Sequence, residues 1–140
     1  MSLYIIAFDC GMKYNIVRHL VHPLCVRLTV VPYHYDLAAN PEHVDYDGIF
    51  VSNGPGDPVL CAPTVASLAW AIAQMPRKPI FGVCLGNQLL ALAAGGIAYK
   101  MPYGNRGHNQ PCIDMATTKC YMTAQNHGYT VTCDGAPASM

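Results

Sequence analysis

The feature of this sequence that most constrains its fold is an alternation of short apolar runs with helix-forming segments up to Gly96. A continuous apolar run is typical of a strand covered on both faces, and strands that alternate with helices form parallel sheets. We therefore predict strands at Tyr4–Phe8, Val26–Val31, Gly48–Ser52 and Pro79–Val83, and helices at Tyr14–Val21, Thr64–Gln74 and Gln88–Ala94. The predicted fold class is α/β with a mostly parallel, doubly wound sheet.

The pattern changes after Gly96, which with Gly95 ends the last of these helices. Three short segments separated by turns then predict strands that add mixed or antiparallel edges to the sheet: Ile97–Met101, Cys120–Ala124 and Tyr129–Cys133. Residues 32–46 are polar and rich in turn-forming residues, which predicts a loop. A length of 140 residues fits one compact domain of about 100–200 residues, so we predict a single domain over residues 1–140.

The composition narrows the class of protein. Apolar residues make up 52% of the chain and charged residues only 11%, with 8 Lys and Arg against 8 Asp and Glu. This balance offers no electrostatic attraction to nucleic acid or to an anionic membrane, and no apolar stretch reaches the roughly 18 residues of a membrane span. A sparsely charged, neutral surface favours association, so we expect part of it to pack against another domain or subunit.

The cysteines indicate a reduced, cytoplasmic protein. The chain has seven of them, an odd number, with no CxxC pair and no signal peptide, at positions 10, 25, 61, 84, 112, 120 and 133. Several lie in apolar, strand-like runs. We therefore expect mostly inert, buried thiols and no metal site, rather than a disulfide framework.

One cysteine lies in a different context. Gly82-Val83-Cys84-Leu85-Gly86 has the form Gly-x-nucleophile-x-Gly and lies between a predicted strand and a predicted helix. In such an elbow the nucleophile occupies a tight, strained turn, and the following helix directs its positive N-terminal end and a backbone N–H at the reacting group. The alternative is a buried structural cysteine in a glycine-rich strand end, but the strand–turn–helix context favours a nucleophile at Cys84.

A second glycine-rich loop, Gly54-Pro55-Gly56-Asp57-Pro58, also follows a predicted strand. In a doubly wound sheet it lies at the same carboxyl edge as Cys84, where ligands bind. Its glycines allow the backbone to approach a ligand closely and to donate an N–H to a tetrahedral intermediate. Without Cys84, an ordinary surface turn would be the better interpretation.

Together these loops give the chain a family resemblance. The segments 53–58 and 81–88 resemble the class I glutamine amidotransferases. Three further segments narrow the resemblance to the amidotransferase region of glutamine-dependent carbamoyl-phosphate synthetases: Asp-Cys-Gly-Met-Lys-Tyr-Asn at 9–15, Tyr-Gly-Asn-Arg-Gly-His-Asn-Gln-Pro at 103–111, and Gln-Asn-His-Gly-Tyr at 125–129. The resemblance covers nearly the whole chain. It implies a flavodoxin-like sheet whose C-terminal part is incomplete here.

The resemblance also implies a reaction. Cys84 attacks the side-chain amide carbon of L-glutamine, releases ammonia and leaves a γ-glutamyl thioester for water to hydrolyse. Backbone groups of Gly54 or Gly56 and of Leu85 hold the oxyanion and substrate. The amino-acid end of glutamine is bound by four residues: Gln88, Asn126, Gly128 and Tyr129. The domain itself needs no cofactor, because ATP, magnesium and bicarbonate are used by a partner, the synthetase large subunit or a fused synthetase domain.

Two departures from the family pattern matter. Asn87 stands where many relatives have His, a change that should leave the elbow intact. The family completes its triad with a His-Pro-Glu segment further along the chain than Met140, so we expect this fragment to be nearly inactive alone. His108 and His127 belong to other motifs of the family and are poor candidates for the general base.

Two other classes of function stay open beside the enzyme. A non-catalytic interaction module that docks on a synthetase is compatible with the low charge content and the missing histidine. A small cysteine protease or redox sensor would account for the elbow. It would not account for the segments at 103–111 and 125–129. The sequence does not decide between pyrimidine and arginine synthesis, nor between a fused and a separate synthetase.

Overall fold

A computed structural model describes residues 2–40 and 45–132 of the chain. The described residues divide into two compact units, one formed by residues 2–40, 45–98 and 131–132 and the other by residues 99–130. A single domain over residues 1–140 therefore stays a prediction. None of the helices among the described residues is both long and apolar enough to cross a membrane.

The first unit contains a parallel sheet. Within the described residues it has four strands in the order β2-β1-β3-β4: β1 Tyr4–Asp9, β2 Arg27–Pro32, β3 Gly48–Val51 and β4 Ile80–Gly82. Every neighbouring pair is parallel. The α/β prediction is confirmed, and each strand lies within a residue or two of its predicted bounds. The chain leaves β1 towards one side and later returns to its other side, so the strand order reverses between β1 and β3.

Three helices accompany this sheet in the described part of the chain: α1 Tyr14–Val21, α2 Ala62–Gln74 and α3 Leu85–Ala93. A 3₁₀ turn at Pro58–Cys61 precedes α2, and the Asp57 carboxylate caps it by accepting a hydrogen bond from the N–H of Val59 at 3.0 Å. Proline suits the first turn of a helix because it has no N–H to leave unpaired. α1 has its predicted bounds, whereas α2 and α3 begin two and three residues earlier than predicted.

The core lies between the sheet and the helices α2 and α3. Most of its fully buried side chains come from the two central strands and these helices, including Phe8, Val51, Leu68 and Leu89. Beside α1 the packing is different, because no residue of that helix is buried. A groove of about 710 Å³ lies there, and its lining is mainly apolar.

The second unit corrects the prediction for the C-terminal part. In place of three short strands, the structure has two long ones, β5 Ile97–Ile113 and β6 Cys120–Thr132, which pair in a separate two-stranded sheet. The six-residue connection 114–119 is too short for a parallel crossover, so the pair is an antiparallel hairpin. The prediction was wrong because the polar, glycine-rich stretch 103–111 looks like turns. Most of its residues are exposed, and an exposed ribbon needs no alternation of apolar residues.

Candidate active site

Cys84 lies on a sharp turn between β4 and α3. Its backbone has φ 54° and ψ −108°, a conformation with positive φ that residues other than glycine rarely adopt, and its side chain is exposed. Hydrogen bonds on both sides hold the turn: the N–H of Val83 donates to the carbonyl of Val51 at 3.0 Å, and the N–H of Gly86 donates to the carbonyl of Val83 at 2.9 Å. A strained backbone that its surroundings enforce is typical of a functional site.

Steric constraints require glycine on either side of Cys84. A Cβ at Gly82 would lie 2.4 Å from the carbonyl of Gly86, and a Cβ at Gly86 would lie 2.2 Å from the carbonyl oxygen of Val51. Both obstacles are backbone atoms, which cannot rotate away. The two glycines therefore let α3 pack directly against the ends of β3 and β4, and this contact places the N-terminus of α3 at the thiol.

Cys84 is the N-cap residue of α3, so the positive end of the helix lies beside it. Leu85, the first residue of the helix, is buried, and its N–H belongs to the turn in which helices leave N–H groups without an intrahelical partner. Gln88 is buried as well, and its N–H donates to the carbonyl of Cys84 at 3.2 Å. The structure thus gathers three of the predicted site residues at one helix terminus.

The 53–57 loop meets this helix terminus at Gly54. A Cβ on Gly54 would lie 1.8 Å from the carbonyl oxygen of Cys10 and 2.7 Å from Cδ2 of Leu85. Gly54 is therefore held between the end of β1 and the first residue of α3. Gly56 has φ +94° and open space around its Cα. Of the two glycines, Gly54 is the one packed against the elbow.

A second set of contacts ties the 53–57 loop to the residues after β1. The Asp9 carboxylate accepts hydrogen bonds from the N–H groups of Gly11 and Met12, at 2.9 and 2.8 Å. The Asn53 side chain accepts from the N–H of Lys13 at 3.3 Å and donates to the carbonyl of Gly11 at 3.4 Å. The Asp9 bonds shape the loop after β1, and the Asn53 bonds join it to the 53–57 loop across the point where the strand order reverses. Ligands bind at this point in such sheets.

Ser52 is a residue that the sequence reasoning missed. Its side chain is fully buried, and its hydroxyl accepts a hydrogen bond from the N–H of Cys10 at 2.9 Å and donates to the carbonyl of Asn53 at 2.7 Å. A serine between a buried strand and a Gly-Pro-Gly loop was the available signal, because serine hydroxyls often bond to backbone groups at strand and loop junctions.

The other predicted substrate-binding residues lie in the second unit. Asn126, Gly128 and Tyr129 are consecutive or nearly consecutive members of β6. In the same strand, His127 uses both ring nitrogens locally: Nδ1 lies 2.7 Å from the Tyr129 carbonyl and Nε2 lies 2.9 Å from Oε1 of Gln125. These contacts fit a structural role for His127 within the hairpin.

Two of the other cysteines contrast with Cys84. Cys10 is 9% exposed, and burial, together with the neighbouring Cys61 thiol and Asp9 carboxylate, raises the pKa of its thiol to about 11. Burial also raises the pKa of Cys61. A thiol that stays protonated is a poor nucleophile. Among the described residues, no group of His, Cys, Asp and Glu is arranged to hold a metal ion.

Comparison of the sequence with known proteins gives close matches. The chain is 52% identical over 132 residues to the arginine-specific small chain of carbamoyl phosphate synthase from Debaryomyces hansenii, covering 93% of this chain and 30% of that protein. It is 52% identical over 133 residues to the multifunctional protein CAD of Squalus acanthias and 48% identical over 134 residues to the multifunctional protein pyr1-3 of Dictyostelium discoideum. The matches cover 93% and 96% of this chain but 6% of each of those proteins.

Solved structures share the fold. A glutamine amidotransferase from Methylobacillus flagellatus superposes with a TM-score of 0.66 at 22% identity, covering 94% of this chain and 57% of its own. A GMP synthase component from Thermoplasma acidophilum gives a TM-score of 0.74 at 20% identity, covering 94% of this chain and 67% of its own. Residues 6–140 match the family of class-I glutamine amidotransferases. With the elbow and the loops arranged as above, this match shows that the chain belongs to the class-I glutamine amidotransferases.

Proposed function

We propose that this chain is the glutamine-hydrolysing part of a carbamoyl-phosphate synthetase, with Cys84 as its nucleophile. The observation that carries the proposal is the geometry of Cys84. It is exposed on a strained turn, at the N-terminus of α3, and its neighbour Leu85 packs against Gly54 of the second loop. Backbone N–H groups are therefore grouped around the one described cysteine that an elbow presents to solvent.

The reaction proceeds in two steps. The sulfur of Cys84 adds to the side-chain amide carbon of glutamine, and the carbonyl oxygen of the amide gains a negative charge that the N–H groups of Leu85 and of Gly54 or Gly56 stabilise. The carbon–nitrogen bond then breaks, ammonia leaves and a thioester remains. Water hydrolyses the thioester to glutamate and restores the thiol. The family resemblance assigns the binding of the amino-acid end of the substrate to Gln88, Asn126, Gly128 and Tyr129.

A general base must take the thiol proton and return it to the departing nitrogen. The family resemblance assigns this task to a His-Pro-Glu segment, and no such segment occurs within the 140 residues. We therefore expect the chain alone to release ammonia slowly, because a triad loses activity by orders of magnitude when one member is removed.

The partner in this proposal is a synthetase, either a separate large subunit or a fused domain. The support is that the relatives include a small chain of carbamoyl phosphate synthase. The ammonia would be used there with bicarbonate, ATP and magnesium, and this domain would need no cofactor of its own. A cytoplasmic location accords with the described cysteines, since thiols such as Cys10, Cys25 and Cys112 form no disulfide.

The proposal is tested by measuring ammonia release from glutamine with the chain alone and with a synthetase component added. We expect slow release that the synthetase accelerates and that Cys84→Ser abolishes in both samples. Release that continues unchanged in Cys84→Ser would show that another group carries the reaction.

A non-catalytic docking module is the second candidate, and the groove beside α1 favours it. Its lining includes Leu24 and Phe81, which are 55% and 65% exposed. If docking on the synthetase is the function, Leu24→Asp should weaken binding to the synthetase. Leu60→Asp, at a residue that is 75% exposed outside the groove, should not. Binding without any Cys84-dependent ammonia release would favour this candidate over the enzyme.

A further inference from the structure

The buried hydroxyl of Ser52 lies directly beneath the loop that carries Gly54. This hydroxyl donates a hydrogen bond to the carbonyl oxygen of Asn53 at 2.7 Å. The same hydroxyl accepts from the N–H of Cys10 at 2.9 Å, so its own position is fixed by the end of β1. The Asn53 carbonyl is consequently held towards the interior of the protein.

This bond has a consequence for the next N–H group. The peptide bonds of the described residues are all trans. In a trans peptide the C=O and the following N–H point in opposite directions within one plane. Because the Asn53 carbonyl points at the buried Ser52 hydroxyl, the N–H of Gly54 points away from it, out of the interior.

Packing holds the Cα of Gly54, and hydrogen bonds to the residues after β1 hold the Asn53 side chain. Among the hydrogen bonds of the described residues, however, only that of Ser52 reaches the Asn53 carbonyl. A flip of the Asn53–Gly54 peptide requires a large change in φ at residue 54, and glycine adopts positive and negative φ about equally well. Glycine is nevertheless required at this position, since a Cβ there would lie 1.8 Å from the Cys10 carbonyl oxygen. The spatial requirement for glycine thus leaves the peptide orientation to be set by hydrogen bonding.

We propose that Ser52 is a positioning residue for the oxyanion site: its hydroxyl locks the Asn53–Gly54 peptide so that the Gly54 N–H faces the substrate carbonyl. The inference rests on the proposed function, because it takes Gly54 as a donor to the oxyanion. Ser52 touches no substrate and acts through the peptide that it holds.

The experiment compares two reagents for Cys84. A chloroketone analogue of glutamine forms an oxyanion when the thiol adds to its carbonyl, whereas iodoacetamide alkylates the thiol by direct displacement and forms none. In Ser52→Ala we expect analogue labelling of Cys84 to slow by about tenfold or more, as for loss of one oxyanion donor. Labelling by iodoacetamide should keep its wild-type rate.

Ser67 supplies a matched control. It is also buried, and its hydroxyl also bridges two backbone groups, accepting from the N–H of Leu37 at 3.3 Å and donating to the carbonyl of Tyr35 at 2.7 Å. Ser67→Ala removes the same pair of bonds away from the 53–57 loop. It should leave both labelling rates unchanged. If Ser52→Ala does not fold, the isosteric pair Ser52→Thr and Ser52→Val replaces it, and only the valine variant should lose the analogue reaction.

The outcomes separate the two proposals. A wild-type chain that the analogue labels at Cys84, together with a Ser52→Ala or Ser52→Val variant that it labels equally fast, overturns the role of Ser52 and leaves the proposed function standing. Equal slowing by both reagents also overturns it, because the effect would then be on the thiol itself. A wild-type chain that the analogue does not label at Cys84 contradicts the proposed function and this inference together.

Discussion

At the scale of single residues, the conformation of Cys84 is the most informative feature. A non-glycine residue at φ 54° and ψ −108° is strained, and the strain persists because α3 and β4 are fixed on either side of it. This geometry lowers the stability of the fold, by an amount on the order of 1–3 kcal/mol for a residue in a sparsely populated region. A side chain kept at such a position serves a purpose other than stability.

Replacing Cys84 with glycine should therefore give a more stable protein than replacing it with alanine. We expect Cys84→Gly to exceed Cys84→Ala in free energy of unfolding by about 1 kcal/mol, since relief of strain outweighs the entropy cost of glycine. Urea unfolding measures the difference. At Ala91, inside α3, glycine should instead cost about 1 kcal/mol. If glycine is less stable than alanine at both positions, the backbone of Cys84 is not strained.

The buried thiol of Cys10 predicts a dependence of stability on alkaline pH. Its pKa rises from 9.0 to about 11 on folding, mainly through burial, so between these values the unfolded chain loses the proton while the folded chain keeps it. Stability is then fully present below about pH 9 and falls as the pH rises towards 11. Between these limits the free energy of unfolding, measured with urea, should fall less in Cys10→Ala than in the wild type. The difference over the whole range should be about 2 kcal/mol. Cys120→Ala, at an exposed thiol, should follow the wild-type slope.

How far the sequence predicts the site differs from residue to residue. The elbow could be predicted because its glycines and cysteine are neighbours in the chain, and the structure gives them the expected turn. For Ser52 the sequence signals a bond to nearby backbone but not its partner, because the N–H that donates to its hydroxyl belongs to Cys10, a residue 42 positions earlier. Only the pairing of β1 with β3 brings these two residues together.

At the scale of elements, the contact of α3 with the sheet sets the site. Gly86 allows this contact because it has no side chain, and the side chain of Leu85 packs against Gly54. The strands of the parallel sheet and α1 were predictable from buried apolar runs and helical periodicity. The hairpin β5–β6 was not, because its strands are exposed, and pairing between long polar strands leaves no periodic signal in the sequence.

A methyl group at position 86 should separate α3 from β3. In Gly86→Ala the new Cβ would lie 2.2 Å from the Val51 carbonyl oxygen, and backbone must move to admit it. We expect a loss of about 1–3 kcal/mol in the free energy of unfolding, as for other overpacked sites, and slower labelling of Cys84. Chemical denaturation and alkylation rates report the two effects.

Gly128→Ala is the control for this prediction. Gly128 lies in β6 and has nothing within 4 Å of an added Cβ, so its replacement should change the free energy of unfolding by less than about 0.5 kcal/mol. If the two alanine variants are equally stable, the contact between α3 and β3 is not as tight as the structure indicates.

At the scale of the whole molecule, the two units have different characters. The parallel sheet with α2 and α3 holds the fully buried side chains and brings Cys84, Leu85, Gln88 and Gly54 together. The hairpin holds the other proposed substrate-binding residues on one strand. The family resemblance predicted both groups, and the fold explains the first: loops that follow parallel strands meet at one edge of the sheet.

The most direct test of the central claim is the site at which a chloroketone analogue of glutamine labels the intact chain, determined by peptide mapping with and without L-glutamine. If Cys84 lies in a glutamine-binding oxyanion site, it should be labelled in preference to the other cysteines, with saturation, and L-glutamine should protect it. Labelling that falls instead on an exposed thiol such as Cys112 or Cys120, or that glutamine does not slow, would contradict the account.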